Sequence, residues 1–400
     1  MNKDSVDSFI ENNLLINGNM FVEDLQANFQ LISNEVRNSK ILVIGGAGFI
    51  GTSYLLEILN FSPNKLVVVD KNENDIVEVI RNLRSLPDNK LPLDIRLEPI
   101  DFGSDEFYRM LDRDPKYDIV VNFAAYKHVR SEKDMYSLAA MFDTNVFKVG
   151  KLLQYLANDP PKHFFSVSTD KAANPQNFMG ASKRLMELLM ISYSGMFKIT
   201  SARFANVAFS NGSLFAGHIH RIFNNQPLSC PNNIFRSFIS SKEAGLLCVI
   251  ASIIGESGDV FIPRMSLRKA LNVGDLSEQF LRHLGYTPVF IENEIDARNF
   301  NFKMSNNDYP IYFFESDTDG EKLVEEFYSR DCEYTVEVSK ALEVVRAKGH
   351  DQKELLEKIN ILKMMFDKSS FDKNSLAMLI RDFIPGFNPI VKGKNLDNRM

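Results

Sequence analysis

The chain has 400 residues, 44% of them hydrophobic, and a formal net charge of −6 at pH 7. That length and apolar content suit one large domain with appendages or two intimately mixed ones, and exclude disorder for most of the chain. No lysine or arginine run breaks the acidic balance, which argues against nucleic acid or an anionic membrane as partner and leaves a nucleotide-sized anion open.

Met1 to Arg37 is acidic and polar and reads as two short helices, Val6 to Leu15 and Val22 to Val36. It lacks the basic start, apolar core and small-residue cleavage site of a signal peptide. No stretch reaches the roughly 20 apolar residues that span a bilayer, so a soluble, cytoplasmic protein is expected. Cys230, Cys248 and Cys332 are too few and too scattered for a disulfide framework or a zinc site and read as small buried hydrophobes.

From Lys40 onward apolar runs alternate with helical spacing. Lys40–Ile44, Lys65–Val69, Asp94–Ile100, Asp118–Asn122 and His163–Ser168 read as buried strands. Between them Ser53 to Asn60, Asp75 to Leu83, Asp105 to Leu111 and Ala139 to Leu156 carry helical periodicity. Continuous apolar strands alternating with helices predict an α/β fold, a doubly wound parallel sheet of the Rossmann type covered on both faces. A helix over Gly180 to Ser192, a sixth strand over Ile199 to Val207 and a short seventh over Asp259 to Pro263 extend the pattern. Asn211 to Phe238 and Pro288 to Asp319 mix aromatics, prolines and asparagines, as suits a smaller lobe closing over a substrate. Beyond Val336 helices are expected at Ser339 to Ala347, Gln352 to Asp367 and Asn374 to Phe383, then an irregular tail. The expected organisation is a helical extension over 1–38, a dinucleotide-binding domain over 39–207 with 241–284 contributing, a substrate lobe from 208–240 and 285–334, and a helical C-terminal extension and tail over 335–400.

Gly45-Gly-Ala47-Gly48-Phe49-Ile50-Gly51 directly follows an apolar strand and opens a helix, the context in which a glycine motif gains weight. Gly45 allows a tight turn, Gly48 close approach of backbone to a pyrophosphate, and Gly51 close packing of helix on strand. The helix N-terminus then faces the phosphates. Asp70 ends the second strand where a carboxylate would accept hydrogen bonds from an adenosine ribose, which favours NAD over NADP, while Lys71 beside it keeps NADP open. Asp101 and Phe102 close the third strand, and Ala124 and Ala125 follow the fourth, where small side chains admit a flat ring; Asp101 reads equally as a helix cap.

Ser168-Thr-Asp-Lys171 places a hydroxyl, a carboxylate and an amine side by side, and Gly180-Ala-Ser-Lys183 adds a second lysine. With Ala124-Ala-Tyr-Lys-His-Val129, Arg203-Phe-Ala-Asn-Val207 and Gly320-Glu-Lys322, these residues make the chain resemble the extended short-chain dehydrogenase/reductases, and more narrowly their nucleotide-sugar 4,6-dehydratases of polysaccharide biosynthesis, over about 38–330. The resemblance implies a lyase with an internally recycled NAD(P), acting on a nucleotide-linked N-acetylhexosamine such as UDP-N-acetylglucosamine, and a homo-oligomer. It implies that Lys171 removes the C5 proton, that Asp170 protonates the departing C6 hydroxyl, and that Lys183 holds the nicotinamide ribose. The base must be neutral and the acid protonated near pH 7, which burial favours for both; otherwise the two form an ion pair. Met179 stands where such enzymes usually carry tyrosine, so either the chain is inactive or Thr169 with Asp170 handles the C4 hydroxyl. Lys127 is expected near the sugar or its phosphates, and Asn206, Ser213 and Arg236 at the pyrophosphate, where a guanidinium suits bidentate bonding. Glu321 is a candidate ribose ligand, although Thr318 and Asp319 replace the arginine and proline usual before Gly-Glu-Lys. His218 and His220 read as packing or surface residues, with no third metal ligand nearby. A C4 or C5 epimerase and a non-catalytic sugar-nucleotide-binding protein are the alternatives.

Overall fold

The computed structural model describes residues 3–14, 20–87, 91–114, 116–264, 269–302, 307–316, 322–329, 332–347, 349, 351–368 and 372–390. In chain order the strands are β1 Lys40–Ile44, β2 Lys65–Val69, β3 Asp94–Glu98, β4 Ile119–Asn122, β5 His163–Thr169, β6 Lys198–Phe204, β7 Asn206–Val207, β8 Leu228–Pro231, β9 Phe235–Arg236, β10 Phe238–Ile239, β11 Val260–Pro263, β12 Leu271–Asn272, β13 Thr287–Ile291, β14 Asp308–Phe314, β15 Cys332–Glu337 and β16 Leu342–Ala347. Nine of them make one sheet in the order β15-β16-β11-β6-β5-β4-β1-β2-β3. From β3 to β11 neighbours run parallel.

Alternation along these strands divides the core. Ile41, Val43, Leu66, Val68, Val121 and Phe165 face one layer, with the helices Phe49–Ile58 and Ser241–Ile253. Leu42, Ile44, Val67, Val69, Val120 and Phe164 face the other, with Met135–Phe142, Lys148–Leu156 and Phe178–Tyr193. Successive strand side chains point to opposite faces, so a strand buried on both must be apolar throughout. Each such Leu, Ile or Phe contributes about 1.5–3 kcal/mol on burial. β1 lies between β2 and β4, so the crossovers leave it in opposite directions and open a crevice at the C-terminal strand ends.

Four elements depart from expectation. Ser339 to Ala347 is not helical: Leu342–Ala347 is strand β16, paired antiparallel with both β11 and β15. The open edge of β11 accepts its backbone, and Leu342, Val344 and Val345 are buried there, so strand pairing outweighs a nearly neutral helix propensity. The expected helix from Val22 to Val36 breaks at Asn28 into Met20–Ala27 and Phe29–Arg37. The long helix after β4 contains a π-turn at Asp143–Phe147. β3 is an edge strand and only half-buried, not a core strand.

A smaller parallel sheet, β13-β14-β8, stands apart from the main one. It packs with the helices Leu214–Phe223 and Val273–His283 around Phe215, Cys230, Ile234, Phe238, Leu276 and Phe280, joined by Phe9 of the helix Lys3–Asn13 and by Leu14 just after it. Val273–His283, expected with the larger unit, therefore packs with the smaller one. At the other end Gln352–Phe366 and Lys373–Arg381 cover the helix Phe178–Tyr193, with Leu355, Leu362, Leu376, Ile380 and Phe387 in its apolar cluster. Among the described residues no helix is long and apolar enough to cross a membrane, and no group of three or more His, Cys, Asp or Glu side chains could hold a metal ion.

Candidate active site

The glycine loop sits where β1 meets its helix. Gly45 has φ +71°, and an added Cβ would stand 2.4 Å from the Ala124 amide nitrogen; one on Gly51 would stand 2.5 Å from the Gly45 carbonyl oxygen. Gly48 is the helix N-cap, followed by Phe49 and Ile50 in the first turn. A Gly45→Ala variant combines a left-handed backbone with this overlap, so it is expected to lose about 1–3 kcal/mol of stability, read from denaturant unfolding. Asp70 takes the Ala47 amide on Oδ2 (3.1 Å) and the Asn72 amide on Oδ1 (3.0 Å), which ties the end of β2 to the loop.

A cleft of about 270 Å³ opens here, walled by Gly45, Gly48, Asp70, Lys71, Asp101, Phe102, Ala124, Ala125 and Tyr126. The backbone cradle, the helix N-terminus and the flat alanine wall fit a dinucleotide. Lys71 Nζ lies 5.0 Å from the Tyr126 ring centroid. Asp101 pairs with Lys148 at 2.7 Å; the cap of the next helix is Ser104, not Asp101.

β5 ends at Thr169, and Asp170–Ala172 form a single tight turn. Asp170 is buried, at 5% exposure. Its Oδ1 accepts from Thr169 Oγ1 (2.7 Å) and from Lys171 Nζ (3.1 Å), and its Oδ2 from Lys171 Nζ (3.2 Å). The carboxyl and amine are thus an ion pair, with the threonine hydroxyl on the same oxygen.

Met179 is buried, and its backbone amide donates to Glu132 Oε1 (2.7 Å). Its thioether has no basic atom to offer. One turn on, Lys183 is buried with Nζ on the Val167 carbonyl (2.9 Å), and burial pushes its amine down to about 8, with Glu187 offsetting only part of this. Lys183 does not line the glycine-loop cleft as drawn by its wall residues. The bridge between the two is Asn145 in the π-turn: its Oδ1 accepts from the Tyr126 amide (2.9 Å), and its Nδ2 donates to the Tyr126 carbonyl and to Ser182 Oγ (both 2.9 Å). Sequence reasoning passed over Asn145, since nothing in Met141-Phe-Asp-Thr-Asn-Val-Phe-Lys-Val149 sets it apart from its polar neighbours Asp143 and Thr144; π-turns recur at functional sites.

On the substrate side Lys127 is exposed just beyond β4, and Ser213 caps the helix Leu214–Phe223. Asn206 and Arg236 do come together, on a strap formed by residues 322–329. Asn206 Nδ2 donates to Glu325 Oε1 (2.6 Å), the Ser237 amide donates to Glu325 Oε2 (2.8 Å), and Arg236 reaches the Leu323 carbonyl (3.2 Å). Asn174, just beyond the Asp170–Ala172 turn, donates to Glu326 Oε2 (2.7 Å) and the Tyr328 carbonyl (3.0 Å). Glu321 lies outside the described residues. His218 is buried against Ser277 Oγ (2.9 Å), with burial driving its imidazole down to about 3, and so is a packing residue. Glu325 and the buried Glu187–Arg203 pair were the other residues that sequence reasoning missed.

Strand order, glycine cradle and the Thr169–Lys171 turn together define an extended short-chain dehydrogenase/reductase fold of the nucleotide-sugar dehydratase and epimerase class. Within it the chain belongs to the polysaccharide biosynthesis protein family, whose model matches residues 41–346. It is 31% identical over 333 residues to an uncharacterized membrane protein of Methanocaldococcus jannaschii, covering 81% of this chain and 90% of that one. It is 26% identical over 253 residues to a UDP-N-acetylglucosamine 4,6-dehydratase (inverting) of Campylobacter jejuni, covering 61% and 72%. It spans less than half of a capsular polysaccharide biosynthesis protein of Staphylococcus aureus, 28% identical over 66% of this chain and 45% of that one. The solved structure of Pen from Bacillus thuringiensis superposes with a TM-score of 0.63 at 22% identity, over 82% of this chain and 98% of that one, a likeness of fold.

Proposed function

We propose that the chain dehydrates a nucleotide-linked N-acetylhexosamine, UDP-N-acetylglucosamine in the first instance, to its 4-keto-6-deoxy product as a precursor for polysaccharide synthesis. The observation that carries this reading is the Thr169–Asp170–Lys171 turn, hydroxyl, carboxyl and amine bonded together at the C-terminal end of β5. Similarity to the Campylobacter jejuni dehydratase supports it. Residues 39–207 form the cofactor-binding part of the enzyme, which works in the cytoplasm as a homo-oligomer.

The cofactor that fits the cradle is NAD: Asp70, at the end of β2, would repel the 2′-phosphate of NADP. A nicotinamide dinucleotide held by the Gly45–Gly51 cradle and Asp70 would supply a reversible hydride acceptor, so that the sugar undergoes no net oxidation. The chain's own residues move the protons. Thr169, bonded to Asp170, takes the place left by the methionine at the C4 hydroxyl, whose proton passes to solvent. Lys171 takes the C5 proton, which a C4 ketone acidifies, and Asp170 gives a proton to the C6 hydroxyl as it leaves as water; Lys171 returns a proton to C5 as C6 is reduced, and the pair regains from solvent the proton that C4 gave up. Asn206, Ser213 and Arg236 hold the pyrophosphate, Lys127 the sugar end, and Lys183 the nicotinamide ribose.

The neutral amine and protonated carboxyl needed at the start carry the same proton as the ion pair in the structure. After elimination the proton sits on Lys171, and the proton regained from solvent once C5 has been protonated gives the same ion pair, so the observed pair corresponds to the state between turnovers. Incubation with UDP-N-acetylglucosamine in deuterium oxide tests the reading: a product lighter by one water, carrying deuterium at C5, is expected. A product of unchanged composition apart from exchange marks an epimerase instead.

A further inference from the structure

We propose that Glu325 is a positioning residue for proton transfer, a second carboxyl delivered by the strap 322–329 that sets where the shared proton of Asp170 and Lys171 rests. The inference builds on the dehydratase reading above, because only a reaction that separates acid and base needs that proton reset.

Its geometric basis is the register of the sheet. Thr169 at the end of β5 pairs with Phe204 at the end of β6, and Asn206 lies two residues further on. Asn206 and the Ser237 amide hold the two oxygens of Glu325 at 2.6 and 2.8 Å, so the carboxyl is fixed beside the strand that carries the catalytic turn. The strap is held on both sides of it. Arg203, fully buried, donates to the Phe327 carbonyl (2.7 Å) and Ser329 Oγ (2.8 Å), while Arg236 and the Phe235 amide hold the Leu323 carbonyl at 3.2 and 3.1 Å. Leu323 and Val324 meanwhile stay exposed. Phe327 anchors the segment in the core, but a strap that leaves Leu323 and Val324 in solvent and turns the Glu325 carboxyl inward does more than fill space.

The charges acting on Glu325 are Asp170 and Lys171 from the catalytic turn and Arg236 from β9. On the strap itself Lys322 pairs with Glu326 (2.9 Å), and Arg203 is paired with Glu187 (2.7 Å). Burial first, then the Asp170 carboxylate, push the Glu325 carboxyl up to about 7, against the pull of Lys171 and Arg236. Glu325 feels Asp170 more strongly than Lys171. Reciprocally, ionised Glu325 destabilises the charged pair Asp170⁻–Lys171⁺ relative to the neutral one. The reset breaks an N–H bond on Lys171 and forms an O–H bond on Asp170, with no change in net charge. Ionisation of Glu325 favours that direction and primes the next turnover.

The test follows the carboxyl directly. In full-length protein labelled with ¹³C at glutamate carboxyls, the resonance missing from Glu325→Gln should titrate near pH 7 in the native chain. It should move down by about one pH unit or more in Asp170→Asn and up in Lys171→Met. A midpoint in the ordinary carboxylate range, or indifference to Asp170→Asn, overturns the proposal whether or not any substrate is turned over. With an active substrate, kcat should rise through a limb near pH 7, and Glu325→Gln should lose that limb with kcat down about 10–100-fold and KM little changed. A limb that survives in Glu325→Gln also overturns the proposal. Absence of turnover by the native protein counts only against the dehydratase reading, and the titration then decides.

Discussion

Lys171→Met is expected to lower turnover of UDP-N-acetylglucosamine by about 10²–10⁴-fold, the usual contribution of a positioned acid or base. Methionine keeps the length of the stem and removes the amine. The loss should therefore fall on kcat, since Lys171 is assigned to a proton and not to the nucleotide. Deuterium incorporation at C5 should vanish with it. The variant also strands Asp170, which is 5% exposed and keeps only its bond from Thr169. Asp170→Asn with Lys171 intact is the complementary case: C5 exchange persists while loss of water slows, because the base remains and the acid is gone. Mass spectrometry of product and recovered substrate separates the two. Retention of full water loss by Lys171→Met would remove the lysine from the mechanism and with it the main support for dehydration.

The parallel sheet was legible because strands buried on both faces leave an unbroken apolar signature, as Lys65–Val69 does with every residue buried. The glycine cradle was legible for a related reason: at Gly45 the backbone conformation and the proximity of Ala124 exclude any side chain. Strand β16 was not, since Leu342 to Ala347 carries both helical and strand character, and what decides is the open edge of β11, distant in sequence. At the candidate site, the Thr169–Asp170–Lys171 grouping is local and was therefore readable as a cluster. Glu325 was not, because its meaning depends on Asn206 and Ser237, brought to it across more than 80 residues of chain. Lys183 was readable as a retained lysine, but its bond to the Val167 carbonyl depends on how the helix Phe178–Tyr193 seats against β5.

The same tertiary logic produces the largest stability effect expected in the molecule. Glu187→Ala should cost about 3–5 kcal/mol, the loss seen when one member of a buried ion cluster is removed. Glu187 is fully enclosed between Arg203, which reaches it with Nε and Nη2 at 2.8 and 2.7 Å, and Arg184 at 2.9 Å, and it accepts from Ser168 Oγ at 2.6 Å. Burial alone would raise its carboxyl, but Arg203 foremost, then Arg184 and the Ser168 hydroxyl, outweigh burial and hold it down at about 2. A carboxyl depressed in the folded state contributes stability above its unfolded value, and that contribution is lost as pH falls. The gap between native protein and variant in urea unfolding should therefore be full at pH 7 and shrink between about pH 4.5 and 2. Removal of Glu187 also frees Ser168, next to Thr169, and leaves Arg203 without its carboxylate while it still carries Phe327 and Ser329 of the strap. Activity should consequently fall at temperatures where the fold persists, because the Thr169–Lys171 turn proposed to move the protons and the strap that carries Glu325 both adjoin this one buried cluster. A variant as stable as the native chain at pH 7 would show that Arg184 and Arg203 find other partners, and the cluster would then have no part in fixing the site.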